Sequence, residues 1–119
     1  MYKELLSAKI HRATVTDSDL NYIGSITIDQ EFMELTGILE WEKVQIADIN
    51  NGNRFDTYVI KGTAGSKTIQ LNGAAARLVH KGDKVIIMAY GLLDEAEQKA
   101  HSPKILVLGE NNEILQKPE

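Results

Sequence analysis

A β-hairpin signal in the middle of the chain constrains the fold more than any other feature of the sequence. Residues 44–49 alternate between two faces, which is the period of a strand with one buried side. Residues 50–53 follow with an Asn-Gly dipeptide, which tolerates the positive φ of a tight turn. Residues 54–60 then return as the partner strand. The sequence therefore predicts an antiparallel hairpin at the centre of a β-rich chain.

Most of the remaining chain also has the pattern of short strands separated by turns. Further strands are predicted at residues 7–16, 26–28, 68–71, 84–92 and 104–108. Short helices are predicted at residues 29–37, between an Asp29 N-cap and a left-handed Gly37, at residues 74–77 after an Asn72 cap, and at residues 94–100. Residues 110–119 have the composition of a frayed polar tail. The sum is a small all-β barrel or sandwich with short helices, and the pattern alone does not choose between barrel types.

The composition is that of one ordinary globular domain, so residues 1–119 are expected to fold as a unit. The chain has 119 residues, of which 43% are hydrophobic and 25% are charged. The net charge of −4 argues against a nucleic-acid-binding surface, which would be basic. The absence of cysteine excludes disulfides, thiolate catalysis and cysteine zinc sites, and no other metal-binding spacing is present.

No segment has the length and apolar character of a secretion signal or a membrane span. The first residues lack the apolar core of a signal peptide. The longest nearly apolar run, residues 85–93, is too short to cross a bilayer. A cytoplasmic protein without a membrane partner is therefore expected.

The Gly24-Ser25 bond lies between two β-like runs and can support an unusual reaction. A serine hydroxyl can attack the carbonyl of the residue before it and convert the amide into an ester. Glycine favours this reaction because it leaves the carbonyl approachable in a strained backbone. The alternative is a plain turn, which is the usual role of a Gly-Ser pair such as Gly65-Ser66.

Cation-capable and proton-donating side chains lie on the predicted strands. Lys9 and His11 are two residues apart and share a strand face, where together they could hold an anion. Arg54 offers a bidentate fork to a carboxylate, and Tyr58 shares its face about 13 Å away along an ideal strand. Thr57 points to the opposite face by alternation. The alternatives are a solvated strand face for the cations and cross-strand packing for the tyrosine.

A run of small residues follows the strand at residues 68–71. Asn72, Gly73, Ala74 and Ala75 stand at the start of a predicted helix, where free N–H groups point outward and glycine lets a ligand approach closely. The segment could therefore form an anion or oxyanion site. The alternative is an ordinary Asn-capped helix whose alanines pack tightly.

Taken together, several motifs resemble those of the pyruvoyl-dependent aspartate 1-decarboxylase family. They are Lys9-Ile10-His11-Arg12, Val15-Thr16, Tyr22-Ile23-Gly24-Ser25, Ile28-Asp29, Asn51-Gly52-Asn53-Arg54, Thr57-Tyr58 and Asn72-Gly73-Ala74-Ala75-Ala76. The resemblance runs from about Leu6 to about Leu108. One departure is Ala64, where the family often has arginine. That loop carries none of the proposed chemistry, so the departure bears on a surface or interface contact.

The resemblance implies a six-stranded double-psi β-barrel with short capping helices, and a proenzyme that cleaves itself between Gly24 and Ser25. Residues 1–24 would become the β chain and residues 25–119 the α chain, with Ser25 converted to a covalent pyruvoyl cofactor. The implied reaction turns L-aspartate into β-alanine and CO2 through a Schiff base, for pantothenate and coenzyme A biosynthesis. The family is a homotetramer with sites at subunit interfaces. Whether a maturation factor assists the cleavage is left open.

The resemblance also implies roles for single residues. Lys9, His11 and Arg54 would bind substrate, with Lys9 and Arg54 as the cations for its carboxylates. Thr57 would hold the Gly24 carbonyl during self-cleavage, and Tyr58 would donate the proton after decarboxylation. The Asn72, Gly73, Ala74 and Ala75 segment would line the pyruvoyl pocket, and Tyr22 would form part of its wall. Phe32 and Trp41 are expected in the core or an interface, and His80 and His101 on the surface.

Two other kinds of function compete with this interpretation. A non-catalytic double-psi barrel could bind a small acid in the same pocket, with an intact chain and an unreacted Ser25. A small nucleic-acid-binding barrel is the other alternative. The negative net charge argues against it, and so does the small number of aromatic residues, which are two Phe, one Trp and four Tyr.

Overall fold

The structure, a computed structural model, describes residues 1–119 and is built mainly from β-strands, with short helices between them. The strands are β1 (Lys3–Thr14), β2 (Asp17–Asp19), β3 (Ser25–Asp29), β4 (Lys43–Asp48), β5 (Arg54–Gly62), β6 (Ile69–Asn72), β7 (Lys84–Leu93), β8 (Lys104–Leu108) and β9 (Ile114–Gln116). The helices are α1 (Gln30–Thr36), α2 (Glu95–Ala100) and two 3₁₀ helices, Gly73–Leu78 and Glu110–Asn112. Neither α-helix has the length and apolar character needed to cross a membrane.

The strands form one mixed sheet in the order β2-β6-β3-β5-β4-β7-β1-β8-β9. β3 lies between a parallel partner, β5, and an antiparallel one, β6. β1 likewise has a parallel partner, β8, and an antiparallel one, β7. The predicted mainly β class with short helices is confirmed, and the double-psi topology stays a prediction. The sheet has nine strands in all, so the count of six for the barrel itself stays a prediction.

The core consists of one cluster of 20 buried apolar side chains contributed by nearly every strand. In β1, Ala8 and Ile10 are buried, whereas Lys9 and His11 between and after them are only half-buried. Strand alternation therefore keeps this cationic pair off the core face. Burial of Phe32 in α1 fits the core position expected for it.

Helix α1 begins and ends where its sequence predicts. Asp29 is the N-cap and accepts a hydrogen bond from the Glu31 backbone N–H, and Gly37 ends the helix at φ 77°. The fully buried Asp29 carboxylate also accepts hydrogen bonds from the backbone N–H groups of Gly65 and Lys67. One side chain therefore caps the helix and fixes the loop between β5 and β6.

The C-terminal segment is ordered, which corrects the prediction of a frayed tail over residues 110–119. β9 pairs with β8, and Asn112 is fully buried at φ 57°. Its side chain accepts a hydrogen bond from the Thr14 backbone N–H at 2.6 Å and donates to the carbonyls of Thr14 and Lys67, each at 2.9 Å. The tail is held because one buried amide satisfies backbone groups of two distant segments.

Two side chains, Trp41 and His101, differ at least in part from their predicted positions. Trp41 is 68% exposed in the single chain, so it is not in the core, and the predicted interface position stays a prediction. His101 is not simply a surface residue, because its Nε2 lies 2.6 Å from the Leu6 carbonyl oxygen. Both corrections depend on contacts between distant segments, which local patterns do not reveal. His80 is exposed, as expected.

Two carboxyl groups meet where β4 ends and β7 begins. Oδ1 of the buried Asp48 accepts hydrogen bonds from the backbone N–H groups of Asn50 and Asn51, whereas its buried Oδ2 has no donor. Burial raises the pKa of Asp48, and a hydrogen bond with Asp83 adds to the rise. The same hydrogen bond lowers the pKa of Asp83. A proton on Asp48 that points to Asp83 satisfies the pair.

Asp48→Asn is expected to stabilise the fold by an amount that grows with pH. The raised pKa of Asp48 gives stability that is present below its ordinary pKa of 3.8 and is lost as the pH rises through the folded value. An asparagine amide keeps the acceptor and supplies a permanent N–H toward Asp83. The increase in the free energy of unfolding of Asp48→Asn over wild type should be small near pH 4 and reach about 1–2 kcal/mol near pH 7.

Urea unfolding of both proteins between about pH 4 and pH 7 measures this difference. The lowered pKa of Asp83 gives stability that is present above its ordinary value and is lost at lower pH. Because the amide of the variant still donates to Asp83, this second effect cancels in the comparison. If the difference in free energy of unfolding between Asp48→Asn and wild type did not change with pH, it would contradict a proton on Asp48 that points to Asp83.

Candidate active site

The Gly24-Ser25 bond lies at the start of β3, where the pairing of β3 with β6 places Ser25 opposite Asn72. Both residues are fully buried. Ser25 Oγ donates to the Ile23 carbonyl at 3.1 Å and accepts from Asn72 Nδ2 at 2.9 Å. The hydroxyl is therefore held in one place beside the backbone of its own segment.

Asn72 does not cap the following helix, which corrects the predicted role of its side chain. The helix that follows is a 3₁₀ helix, Gly73–Leu78, and Asn72 makes no side-chain cap to it. Its Nδ2 donates instead to Ser25 Oγ and, at 3.0 Å, to Thr27 Oγ1. Its Oδ1 accepts from Gln70 Nε2 at 2.8 Å, and this hydrogen bond fixes the amide with its N–H groups toward Ser25.

Gly73 lies directly against the backbone of the Gly24-Ser25 segment. A Cβ atom at Gly73 would lie 2.6 Å from Gly24 Cα, 2.8 Å from Gly24 N and 3.1 Å from the Tyr22 carbonyl oxygen. Gly73 also has φ 64°, in the region that side chains disfavour. Only glycine fits here without displacing the backbone, and the group that approaches Gly73 is the Gly24 backbone. Close approach of a ligand to this segment stays a prediction.

An open cavity of about 380 Å³ lies beside Gly24, and the fully buried Ser25 does not border it. Its lining residues come from Gly24, from β5 and from the 3₁₀ helix: Gly24, Phe55, Asp56, Thr57, Tyr58, Ala74, Ala75 and Leu78. Thr57 and Tyr58 both border it, although simple alternation places them on opposite faces. Thr57 makes no hydrogen bond to the Gly24 carbonyl in the intact chain, and the half-exposed Tyr22 is absent from the wall.

The cationic residues predicted for substrate binding do not border this cavity. Lys9 and His11 lie on β1, and the strands β5, β4 and β7 separate β1 from β3 in the sheet order. Arg54 begins β5 and is exposed, and its Nη1 donates to Gln45 Oε1 at 3.0 Å. The chain thus brings together the Gly24-Ser25 bond and its neighbours but not Lys9, His11 and Arg54.

His11 has an environment that disfavours its charged form. Burial lowers the pKa of His11, and the charges of Lys9 and Arg12 lower it further. Its buried Nδ1 has no hydrogen-bond partner within the chain. The imidazole is therefore neutral at pH 7, and its charge does not add to that of Lys9.

Comparison with known proteins assigns the chain to a family. The family model described as aspartate decarboxylase matches residues 1–115. The chain belongs to the aspartate decarboxylase family. Aspartate 1-decarboxylase from Caldicellulosiruptor saccharolyticus is 66% identical over 115 residues, which cover 97% of this chain and 90% of that protein. Aspartate 1-decarboxylase from Clostridium kluyveri is 60% identical over 116 residues, which cover 98% and 91%.

Among solved structures, the computationally designed protein msDPBB_sym2 is similar with a TM-score of 0.45 and 21% sequence identity. The similar region covers 73% of this chain and 99% of the designed one. The resemblance to the aspartate decarboxylase family stated from the motifs is therefore confirmed by the family model and by the relatives. The non-catalytic binding barrel and the nucleic-acid-binding barrel are not favoured.

Sequence reasoning missed several residues of this candidate site, including Asp56 and Leu78 in the cavity wall. Gln70 and Thr27 are the further partners of the Asn72 amide, and Phe55 lies in the cavity wall. Gln70 and Asn72 are two residues apart and so share a strand face, a signal that could have linked them. The sequence near Thr27 gave no such signal, because the contact of Thr27 with Asn72 depends on the register between β3 and β6.

Proposed function

We propose that the chain is a self-processing aspartate 1-decarboxylase that converts L-aspartate to β-alanine and CO2, in the cytoplasm, for pantothenate and coenzyme A biosynthesis. The observation that carries the proposal is the buried Ser25 hydroxyl, fixed by Asn72 beside the Gly24–Gly73 contact, in a chain of this family. The cofactor would be a pyruvoyl group made from Ser25.

Self-cleavage would begin with attack of Ser25 Oγ on the Gly24 carbonyl carbon. The Oγ–C bond forms, the Gly24–Ser25 C–N bond breaks, and the hydroxyl proton passes to the freed nitrogen. Loss of the residue 25 α-proton and rupture of its Cβ–Oγ bond then release residues 1–24 with a C-terminal carboxylate. Water replaces the remaining nitrogen, which leaves as ammonia, and residues 25–119 begin with a pyruvoyl group.

The surroundings of Ser25 suit both the cleavage and the group it would form. Asn72 Nδ2 donates to Ser25 Oγ at 2.9 Å and so orients the attacking hydroxyl. Thr57 borders the cavity with Gly24, and its hydroxyl is the proposed donor to the oxyanion that forms on the Gly24 carbonyl. Ala74 and Ala75 border the cavity and leave space for a ligand there because their side chains are small. A pyruvoyl group at residue 25 would supply an electron sink for the decarboxylation of an amino acid.

Tyr58 is the proposed proton donor. It borders the cavity next to Thr57, and its phenol can give a proton to the carbon that loses CO2. Its Oη makes no hydrogen bond in the structure, so the hydroxyl is free to meet a substrate.

The substrate-binding cations would come from a neighbouring subunit. Lys9, His11 and Arg54 lie off the cavity of their own subunit, whereas a dicarboxylic acid needs cationic partners inside an acidic protein. A homotetramer whose sites lie at subunit interfaces supplies them from the next copy. Lys9 and Arg54 are the residues proposed to hold the two carboxylates, and a maturation factor is compatible with this scheme.

The denatured mass spectrum of the purified protein tests the proposal. We expect two fragments, residues 1–24 and residues 25–119, with the larger lighter by one ammonia than a serine-started peptide. The processed protein should release β-alanine and CO2 from L-aspartate. Ser25→Ala is the matched control, and it should keep one intact mass and release neither product.

If the mass spectrum shows only the intact wild-type chain, the protein is next incubated at raised temperature. Slow appearance of the two fragments in wild type, and not in Ser25→Ala, would support a stalled proenzyme. A chain that stays intact, or a processed chain that does not decarboxylate L-aspartate, would overturn the proposed function.

A further inference from the structure

Trp41 has a backbone conformation that its side chain disfavours. Its φ is 74°, and it is the only aromatic residue among those with positive φ. It occupies the third position of a turn closed by a hydrogen bond of 3.2 Å from the Glu42 N–H to the Leu39 carbonyl. A positive φ at that position favours Gly or Asn, and a bulky residue there costs about 1–2 kcal/mol.

Burial does not offset this cost, because Trp41 is 68% exposed. The turn itself is fixed to β5 by backbone hydrogen bonds. The Trp41 N–H donates to the Val59 carbonyl at 2.7 Å, and the Val59 N–H donates to the Glu42 carbonyl at 3.1 Å. These bonds use only main-chain atoms, so a glycine at position 41 would keep them. The indole is therefore not needed to form the turn.

The indole forms an aromatic pair with Tyr58. The two rings stack with centroids 5.9 Å apart and an angle of 24° between their planes. Such a pair contributes about 0.5–1.5 kcal/mol, which at most offsets the backbone strain. The tyrosine hydroxyl has no hydrogen-bond partner, so this stack is the contact that fixes one face of the phenol ring at the cavity wall.

We propose that Trp41 is a positioning residue for the Tyr58 phenol, held in a strained turn because the stack orients the proton donor. The proposal rests on the proposed function, in which Tyr58 protonates the decarboxylated carbon. Strain that brings no net stability and borders a reactive site is typical of residues kept for function. A tyrosine free to change rotamer would lose the alignment on which proton transfer depends.

The kinetic test compares variants after the mass spectrum has verified complete processing. Trp41→Gly relieves the strain and removes the ring, so we expect thermal stability that is equal or higher and kcat about 10-fold lower or more, with KM for L-aspartate little changed. Trp41→Phe restores a ring and should recover most of kcat. Leu39→Ala removes another exposed apolar side chain of the same turn, 69% exposed, and should leave kcat unchanged.

A second readout does not depend on activity. In the uncleaved Ser25→Ala chain, the ring signals of Tyr58 in the NMR spectrum of ¹³C-labelled tyrosine should be shifted by the ring current of Trp41. They should move to an averaged position when Trp41→Gly or Trp41→Asn is added. Trp41→Asn suits the positive φ and lacks the ring, so it replaces Trp41→Gly if that variant does not fold.

The outcomes separate this proposal from the proposed function. If wild type decarboxylates L-aspartate, Tyr58→Phe is slow and Trp41→Gly matches wild type, the positioning role is overturned and the decarboxylase stands. A kcat of Trp41→Phe as low as that of Trp41→Gly would also overturn it. If wild type makes no β-alanine, the proposed function fails. The NMR comparison then decides alone, and unchanged Tyr58 signals in Trp41→Gly would overturn the positioning role.

Discussion

Gly73→Ala is expected to abolish cleavage between Gly24 and Ser25 and to lower stability by about 2–4 kcal/mol. The new Cβ would lie 2.6 Å from Gly24 Cα and 2.8 Å from Gly24 N. Both are backbone atoms, so the segment that must react has to move. The shift would separate Ser25 Oγ from the Asn72 amide and from the Gly24 carbonyl. The denatured mass spectrum should therefore contain only the intact chain, even after prolonged incubation at raised temperature.

Gly37→Ala is the matched control for the backbone part of this effect. Gly37 has φ 77°, close to the 64° of Gly73, but a Cβ there would have no atom within 4 Å. Alanine at position 37 should cost only about 1 kcal/mol for its left-handed backbone and leave cleavage at the wild-type rate. Cleavage of Gly73→Ala at the wild-type rate would show that the Gly24–Gly73 contact plays no part in the reaction.

Asp29→Ala is expected to lower the free energy of unfolding by about 3–5 kcal/mol. The carboxylate is fully buried and accepts hydrogen bonds from the backbone N–H groups of Glu31 at 2.8 Å, Gly65 at 3.0 Å and Lys67 at 2.8 Å. Alanine would leave all three donors without this partner. Urea unfolding at one fixed protein concentration, in the uncleaved Ser25→Ala chain, measures the loss.

Asp94→Ala provides the comparison, because Asp94 caps a helix without tying other segments together. It caps α2, whose residues are not buried, and accepts one backbone hydrogen bond, from the Glu97 N–H at 2.9 Å. Loss of this cap in Asp94→Ala should lower the free energy of unfolding by about 1 kcal/mol. Equal effects of the two substitutions would mean that the loop contacts of Asp29 contribute nothing beyond the helix cap.

The local elements were predictable because each depends on chemistry between near neighbours. The Asn-Gly turn joins β4 to β5 with Gly52 at φ 78°, as its sequence predicts. Asp29 and Gly37 bound α1 as a cap and a left-handed terminator predict. Lys9 and His11 share a half-buried strand face because the strand period is two. Each prediction needed only residues close in sequence.

The site was harder to predict, because its partners come from distant segments. Asn72 has the sequence of a helix cap, yet its side chain turns to Ser25, 47 residues away, because β6 pairs with β3. The stack of Trp41 on Tyr58 and the burial of Asn112 depend in the same way on long-range pairing. A local pattern states which groups a side chain offers and not which distant partner accepts them.

The sequence by itself determined the β-rich class, the positions of the turns, the short helix over residues 30–36 and, through its motifs, the family. These depend on periodicity, turn chemistry and capping, which act over a few residues. Only the tertiary structure decided that Ser25 is buried against Asn72, that Gly73 touches Gly24, and that Lys9, His11 and Arg54 lie off the cavity of their own subunit. The physical reason is strand register, because pairing between segments far apart in sequence selects which polar groups meet.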